Sequence, residues 1–178
     1  MKVYFVRHGE TAFNKAGKVM GQLDEPLDAD GIRQSHELAE KIDRDFQRLF
    51  CSPLQRARQT AEILNEKLHL EIEIRGELHE RDFGSLAGKT LAEMNKQTED
   101  AIAKKDEANE YDYRPYGGES AEDVKARINR FLDFLRQDHA DHKVLVVTHT
   151  GIIRLLYLIC LGRTYPPIAN DSVHEFEI

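Results

Sequence analysis

Two histidines and two arginines stand close behind short apolar runs of this sequence. They are Arg7, His8, Arg56 and His149. Histidine can act as a nucleophile or a base, and the planar fork of arginine matches the oxygens of a phosphate group. A lone histidine behind a strand is usually a polar loop residue, but here three separate runs carry compatible chemistry. The set indicates a basic phosphate pocket within a chain whose net charge is −7.

The apolar runs have the composition of strands that are buried on both faces of a sheet. They cover residues 3–6, 49–51 and 144–147. In open α/β sheets, ligands bind outside the carboxyl ends of the strands, which is where the four residues would lie. Residues 70–74 alternate and are predicted as an edge or half-exposed strand, and residues 173–178 as a last strand.

Helical periodicity separates the predicted strands. Apolar residues recur at helical spacing over residues 32–42, 54–68, 121–135 and 151–161, and the last of these segments is apolar enough to be buried. Ser52 is predicted to cap the second helix with Pro53 as its first residue, and Ser120 with Asp123 to cap the third. The alternation predicts an α/β fold, a three-layer α/β/α sandwich with a mixed, mostly parallel sheet. Strands 3–6 and 144–147 are expected to be neighbours, since both must bring a histidine to one pocket.

Length and composition favour a single domain over residues 1–178, with 40% hydrophobic and 32% charged residues. The acidic balance argues against nucleic acid as a partner. The longest apolar run, residues 155–161, is too short to cross a membrane. The apolar run near the N-terminus, residues 3–6, is too short for the hydrophobic region of a signal peptide. Two cysteines without CxxC spacing, Cys51 and Cys160, fit reduced thiols, so a cytoplasmic location is expected.

Residues 85–119 form a polar, weakly periodic stretch that ends in several tyrosines. Its pattern is too weak for a pair of core helices, so it is predicted to be a lid-like insertion lying over the edge of the sheet. Together with the loop over residues 15–28, it is expected to determine which substrate is bound.

Several motifs resemble those of the histidine phosphatase superfamily, also called phosphoglycerate-mutase-like. The first is FVRHGET at residues 5–11, and the others follow in the order of the family: Asn14, GQLDEPL at 21–27, SPLQRARQTA at 52–61, LHERDFG at 78–84, GGES at 117–120 and VTHTG at 147–151. The match runs from Lys2 to about Arg154. The resemblance implies a metal-independent phosphomonoesterase that acts on a small phosphorylated metabolite through a phosphohistidine, with no cofactor.

The resemblance also implies a role for each site residue. His8 is the nucleophile, and Arg7, Arg56 and His149 hold the nonbridging oxygens of the phosphate. His8 must be neutral to attack, and the neighbouring arginines favour its uncharged ring. Four further phosphate or substrate contacts are expected: Asn14, Gln22, and the N–H groups of Thr150 and Gly151.

Glu80 is the general acid that the resemblance implies. The residues alone favour a solvated glutamate in a turn beside Arg81 and Asp82, and it is the resemblance that reverses this preference. Glu77 and Glu119 are the alternative acids. An acid is needed because an alkoxide leaving group must gain a proton as it departs.

Two other functions of the same fold stay open. A phosphoglycerate-type mutase would be expected to carry a pair of adjacent arginines, but residues 82–125 contain a single arginine, Arg114. Phe83 also stands where mutases often have tyrosine. Lys89, Lys104 and Lys105 keep the mutase alternative open. A non-catalytic phosphate- or phosphopeptide-binding module would be expected to have lost His8 or Glu80. A metal site is not expected, because arginines at these strand ends would repel a cation.

Overall fold

The computed structural model describes residues 1–43, 45–98, 110–162 and 165–178. Within these residues, one sheet is formed by β1 (Lys2–Arg7), β2 (Arg48–Cys51), β3 (Ile72–Ile74), β4 (Val144–Thr148) and β5 (Val173–Glu177). The order across the sheet is β3-β2-β4-β1-β5. Neighbouring strands pair in parallel except for β5, which runs antiparallel to β1. The predicted strands are therefore present, and β3 lies at an edge.

Six helices surround the sheet in the described residues. They are α1 (Ala12–Lys15), α2 (Ala29–Lys41), α3 (Gln55–Leu68), α4 (Leu91–Gln97), α5 (Ala121–Asp138) and α6 (Thr150–Leu161). Short 3₁₀ turns lie at Gly76–Leu78, Gly84–Leu86 and Arg114–Tyr116. No helix of the described chain is both long and apolar enough to cross a membrane.

Helices cover both faces of the sheet. Successive residues of a strand point to opposite faces, so each central strand packs against both helical layers. Val144 and Val146 of β4 pack in one apolar cluster with residues of α5 and α6. Leu145 and Val147 pack in a second cluster with residues of α2 and α3. The three-layer α/β/α sandwich with a mixed, mostly parallel sheet is therefore confirmed.

The two central strands, β1 and β4, are neighbours as expected. Arg7 lies opposite Thr148 in their register, so His8 and His149 leave the sheet at the same edge. The backbone N–H of His8 still donates to the Thr148 carbonyl at 3.1 Å. This pairing fixes the start of both loops relative to each other.

The start of α3 differs from the prediction. The helix begins at Gln55, and its N-cap is Leu54, which makes no side-chain capping hydrogen bond. Ser52 remains attached to the sheet, because its N–H donates to the Val147 carbonyl at 3.0 Å. The prediction of Ser52 as the cap and Pro53 as the first helical residue was therefore wrong. The capping box of Ser120 and Asp123 at α5 is confirmed.

Part of the stretch over residues 85–119 is packed in the core. Leu86, Met94, Tyr111 and Tyr113 are buried in the same cluster as α5, and a short helix, α4, is present where no core helix was predicted. Residues 99–109 lie outside the described residues, so the lid-like role of the insertion stays a prediction.

The last helix, α6, was expected to be buried, and its burial is incomplete. Leu158 and Leu161 near its end are 45% and 41% exposed.

Candidate active site

A cleft of about 150 Å³ lies at the carboxyl edge of the sheet. Its walls come from the ends of β1 and the starts of α3 and α6, together with the loops before α2 and after β3. The lining residues are Arg7, His8, Asn14, Lys18, Val19, Met20, Gly21, Arg56, Glu80, Arg81, Phe83 and Thr150. Most of the predicted site residues therefore meet in one place.

His8 is held as a neutral imidazole with a defined tautomer. Its side chain is buried, and Nδ1 lies 2.7 Å from the Gly9 carbonyl oxygen. A carbonyl can only accept, so Nδ1 carries the hydrogen and Nε2 keeps its lone pair. Burial, followed by the charges of Arg56 and Arg7, holds the pKa of His8 well below its ordinary value. A neutral ring with a free Nε2 lone pair is the form in which an imidazole can act as a nucleophile.

Gly9 fits between Gly31 and Asp171 only because it lacks a side chain. A Cβ at this position would lie 2.6 Å from the Gly31 carbonyl oxygen and 2.7 Å from a carboxylate oxygen of Asp171. The Gly9 N–H donates to Thr60 Oγ1 at 3.0 Å, which fixes the turn after β1. The carbonyl that orients His8 is thus anchored from α3.

Two buried arginines flank His8. Arg56, in the first turn of α3, donates to the Leu23 and Gly21 carbonyls at 2.7 Å each, and burial lowers its pKa to about 10. Arg7 donates to the Ile168 carbonyl at 2.7 Å, and burial lowers its pKa as well. The Nε atoms of both arginines are buried and have no hydrogen-bond partner within the described chain. Both side chains are therefore fixed in place, and each retains an unpaired Nε–H donor.

His149 stands beside His8, with 5.2 Å between the ring centroids. The ring is fully buried at the N-cap of α6, and its Nε2 lies 2.7 Å from Ser52 Oγ. Burial, then the charges of Arg56 and His8, lowers the pKa of His149 well below its ordinary value. The other ring nitrogen, Nδ1, has no hydrogen-bond partner in the part of the chain that the structure describes.

Asn14 presents its amide nitrogen to the cleft. Its Oδ1 accepts hydrogen bonds from the Thr11 N–H at 3.1 Å and from Asn170 Nδ2 at 3.3 Å. Because the oxygen is turned toward protein donors, the NH₂ group is the part left for a ligand. Asn14 therefore has a neutral donor available at the cleft, and its contact with a phosphate stays a prediction.

Glu80 lies at the cleft with both carboxylate oxygens oriented by the backbone. Oε2 accepts from the Gly151 N–H at 2.9 Å, and Oε1 accepts from the Arg81 N–H at 2.8 Å. Glu77 is paired with Arg75 at 3.0 Å instead, and neither it nor Glu119 lines the cleft. Of the three glutamates considered as the acid, Glu80 is the one that lines the cleft.

The segment that carries Glu80 is held by a buried arginine of α5 that sequence reasoning missed. Arg127 donates to the Glu77, His79 and Glu80 carbonyls at 2.5, 2.8 and 3.1 Å. It also pairs with Glu119, at 2.9 Å between Nε and Oε1. The sequence gives no signal for this clamp, because charged residues are ordinary on an amphipathic helix.

Two predicted phosphate contacts have other partners. Gln22 lies outside the lining and donates from Nε2 to the Glu80 carbonyl at 3.1 Å. The Gly151 N–H is engaged by the Glu80 carboxylate, so this helix-terminal donor orients the acid. Thr150 lines the cleft as expected. Lys18, Arg81 and Phe83 line it without having been predicted as site residues, although Lys18 lies in the loop over residues 15–28.

A cluster of acidic residues near the cleft has the ligand types of a cation site. Glu10, Asp28 and Asp30 each offer a carboxylate oxygen within 4.8 Å of the others. Lys15 Nζ already lies 2.9 Å from Asp28 and 2.5 Å from Asp30, and Asp28 caps α2 through the Gly31 N–H. The Asp28 and Asp30 carboxylates therefore have structural partners, and none of the three residues lines the cleft.

Comparison with known proteins gives the relationships of the chain. Residues 3–176 match the family model described as histidine phosphatase superfamily (branch 1). An uncharacterized phosphatase, PhoE, of Bacillus subtilis is 37% identical over 86% of this chain and 74% of its own length. A metal-independent phosphoserine phosphatase of Arabidopsis thaliana is 32% identical over 97% of this chain and 74% of its own length. Proteins named as phosphoglycerate mutases also match.

A solved structure shows the same fold. The mycobacterial glucosyl-3-phosphoglycerate phosphatase in complex with VO3 superimposes with a TM-score of 0.86 and 28% sequence identity. The alignment covers 98% of this chain and 91% of that one. The neutral His8 between two arginines, the placement of Glu80 and these matches agree, and the chain belongs to the histidine phosphatase superfamily.

Proposed function

We propose that this protein hydrolyses small phosphomonoesters through a phosphohistidine at His8, as a single metal-independent domain over residues 1–178. The observation that carries the proposal is a set of three buried nitrogens near His8 without hydrogen-bond partners in the described residues: Arg7 Nε, Arg56 Nε and His149 Nδ1. Buried donors are seldom left unpaired, and a phosphate supplies the acceptor oxygens that they lack. An anion on these donors would lie against the free Nε2 lone pair of His8.

The reaction then proceeds in two displacements. Nε2 of His8 attacks phosphorus, the bond from phosphorus to the ester oxygen breaks, and Glu80 protonates the departing alkoxide. A water next attacks the phosphohistidine, Glu80 takes its proton, and inorganic phosphate leaves. Phosphoryl transfer depends chiefly on positioning and charge stabilisation, which Arg7, Arg56 and the donors of Asn14 and His149 supply.

The rest of the lining favours a substrate with a second negative group. Lys18 and Arg81 add positive charge beyond the phosphate donors, and Phe83 adds an apolar wall beneath the Arg81 guanidinium, 5.1 Å from its ring. Phosphoserine and glucosyl-3-phosphoglycerate, which appear in the names of the matched phosphatases, both carry a carboxylate. We therefore propose a small carboxylated phosphomonoester as the substrate and the cytoplasm as the location, with no nucleic-acid partner.

Hydrolysis of p-nitrophenyl phosphate by the purified protein tests the proposal. Activity should persist in excess EDTA, and rapid acid and alkaline quenches should distinguish an acid-labile, base-stable phosphoenzyme. His8→Ala should abolish turnover, whereas His36→Ala, at an imidazole 53% exposed on α2, should leave it unchanged.

Loss of activity in EDTA with rescue by Mg²⁺ or Zn²⁺, or activity retained by His8→Ala, would overturn the mechanism. Transfer of phosphate to phosphoglycerate in place of water would favour a mutase, and binding without turnover a non-catalytic module.

A further inference from the structure

Ser52 lies between β2 and α3 and is fully buried against His149. Its Oγ is 2.7 Å from His149 Nε2 and 3.4 Å from the backbone nitrogen of Leu54. The backbone N–H of Ser52 donates to Val147 of β4, the strand that ends just before His149. The sheet therefore holds the hydroxyl and the imidazole at a fixed separation.

The hydrogen-bonding capacity of these groups determines which atom carries each proton. The Leu54 N–H can only donate, so Ser52 Oγ accepts from it. If Nε2 of His149 also donated to Oγ, the serine hydrogen would need another acceptor, and the described residues provide none. That arrangement leaves a buried hydroxyl unpaired, which is unfavourable. When Ser52 donates to Nε2 instead, both of its contacts are satisfied, and the Nδ1–H of His149 is the one group of the pair left without a partner in the described residues.

We propose that Ser52 is a positioning residue that donates its hydroxyl hydrogen to His149 Nε2 and thereby fixes the hydrogen of His149 on Nδ1. This inference rests on the proposed phosphatase function, in which Nδ1–H donates to a nonbridging oxygen of the phosphoryl group at His8. The opposite tautomer would turn a nitrogen lone pair toward that oxygen and weaken binding.

The tautomer matters because the imidazole of His149 has a single hydrogen to give. Burial and the neighbouring charge of Arg56 keep its pKa well below the ordinary value, so the ring is neutral at physiological pH. A doubly protonated ring would donate from both nitrogens whatever its partner. A neutral ring donates from Nδ1 only when Nε2 is the acceptor, which is the condition that Ser52 imposes.

The test is the ¹⁵N spectrum of histidine-labelled protein without substrate, with His149 assigned by comparison with His149→Asn. In the wild type, we expect Nδ1 of His149 to carry the hydrogen and Nε2 to give the shift of an unprotonated nitrogen. In Ser52→Ala we expect a mixture of tautomers. A hydrogen bond to a charged group accounts for roughly 10- to 100-fold in affinity, so Kd for inorganic phosphate should rise by about that factor.

Ser120→Ala is the matched control, because it also removes a buried hydroxyl but from the cap of α5. It should lower thermal stability and leave the His149 tautomer and phosphate affinity unchanged. Hydrogen on Nε2 in the wild type, or an unchanged tautomer in Ser52→Ala, would overturn the inference, and the wild-type spectrum decides even if the variant fails to fold. The spectrum needs no turnover, so a chain without phosphatase activity would refute the proposed function separately.

Discussion

Gly151 and Glu80 are joined by a hydrogen bond of 2.9 Å, from the first turn of α6 to Oε2 of the proposed acid. The contact depends on the absence of a side chain at Gly151. A Cβ there would overlap with Oε1 of Glu80 and lie 2.5 Å from Nε of Arg81. The glycine therefore determines where the carboxylate of the proposed acid lies relative to His8.

Replacing Gly151 should displace the Glu80 carboxylate and leave His8 in place. In Gly151→Ala, the added methyl group forces the Glu80 carboxylate away from the N–H that orients it. We expect kcat on an alkyl phosphate to fall at least about tenfold, approaching the effect of losing a general acid. Single-turnover phosphorylation by p-nitrophenyl phosphate should fall less, because this leaving group departs nearly unaided. Gly76→Ala, where a Cβ would meet open space, is the control and should behave as wild type.

Removal of the acid itself should give the same pattern more strongly. Glu80→Gln is expected to reduce kcat on an alkyl phosphate by roughly 10²- to 10⁴-fold, and clearly less on p-nitrophenyl phosphate in the phosphorylation step. Single-turnover rates are required, because Glu80 is also proposed to activate the water in the second step. Glu77→Gln, at a carboxylate paired with Arg75, should lack this contrast. Equal losses on both substrates would indicate a structural or binding role for Glu80.

The Arg127 clamp makes a prediction about stability as well as rate. Arg127→Met removes a donor shared by three carbonyls of the acid segment and the Glu119 carboxylate. Gln22 still donates to the Glu80 carbonyl and the Asp82 N–H to Glu119, but the Glu119 charge loses its buried counterion. Breaking one side of a buried pair costs about 3–5 kcal/mol, and replacing both partners costs less. The free energy of unfolding from urea titrations should therefore fall in Arg127→Met and partly recover in Arg127→Met/Glu119→Gln. A double variant as unstable as the single one would show that the pair itself is not what matters.

The difference between what sequence predicted and what it missed has a physical basis. His8, Arg7 and His149 could be located because strands have a short, readable period and ligand sites follow strand ends. Ser52 was taken for a helix cap because a serine before a proline gives the same local pattern whether its hydroxyl meets a backbone N–H or an imidazole 97 positions away. Such contacts exist only in the folded chain.

The same limit applies to the residues that support the turn after His8. Thr60 holds Gly9, and Asp171 lies within hydrogen-bond distance of Ser35, which in turn contacts Thr60. These residues come from two helices and the segment before β5. None of them has a local pattern that distinguishes it from an ordinary polar residue. Their role follows from the tertiary fold, which brings them together behind β1.

Asp171 should make stability depend on pH in the acid-to-neutral range. Burial raises its pKa to about 7, although the Ser35 hydrogen bond and the charge of Arg7 act in the opposite direction. Between about pH 4 and 7, the folded chain retains a proton that the unfolded chain has lost, so stability falls as pH rises. The slope from this one group is at most about 1.4 kcal/mol per pH unit, and the loss is complete above the folded pKa.

Asp171→Asn removes the titrating group while retaining hydrogen-bonding atoms, and asparagine tolerates the left-handed backbone at φ 51°. The free energy of unfolding of this variant should change less between pH 4 and 8 than that of the wild type. The difference in free energy of unfolding, variant minus wild type, should therefore increase from pH 4 to pH 8. Asp141→Asn, at an exposed turn position, should keep the wild-type pH profile. If Asp171→Asn also kept that profile, the carboxyl of Asp171 would have to ionise in the folded protein much as it does in the unfolded chain.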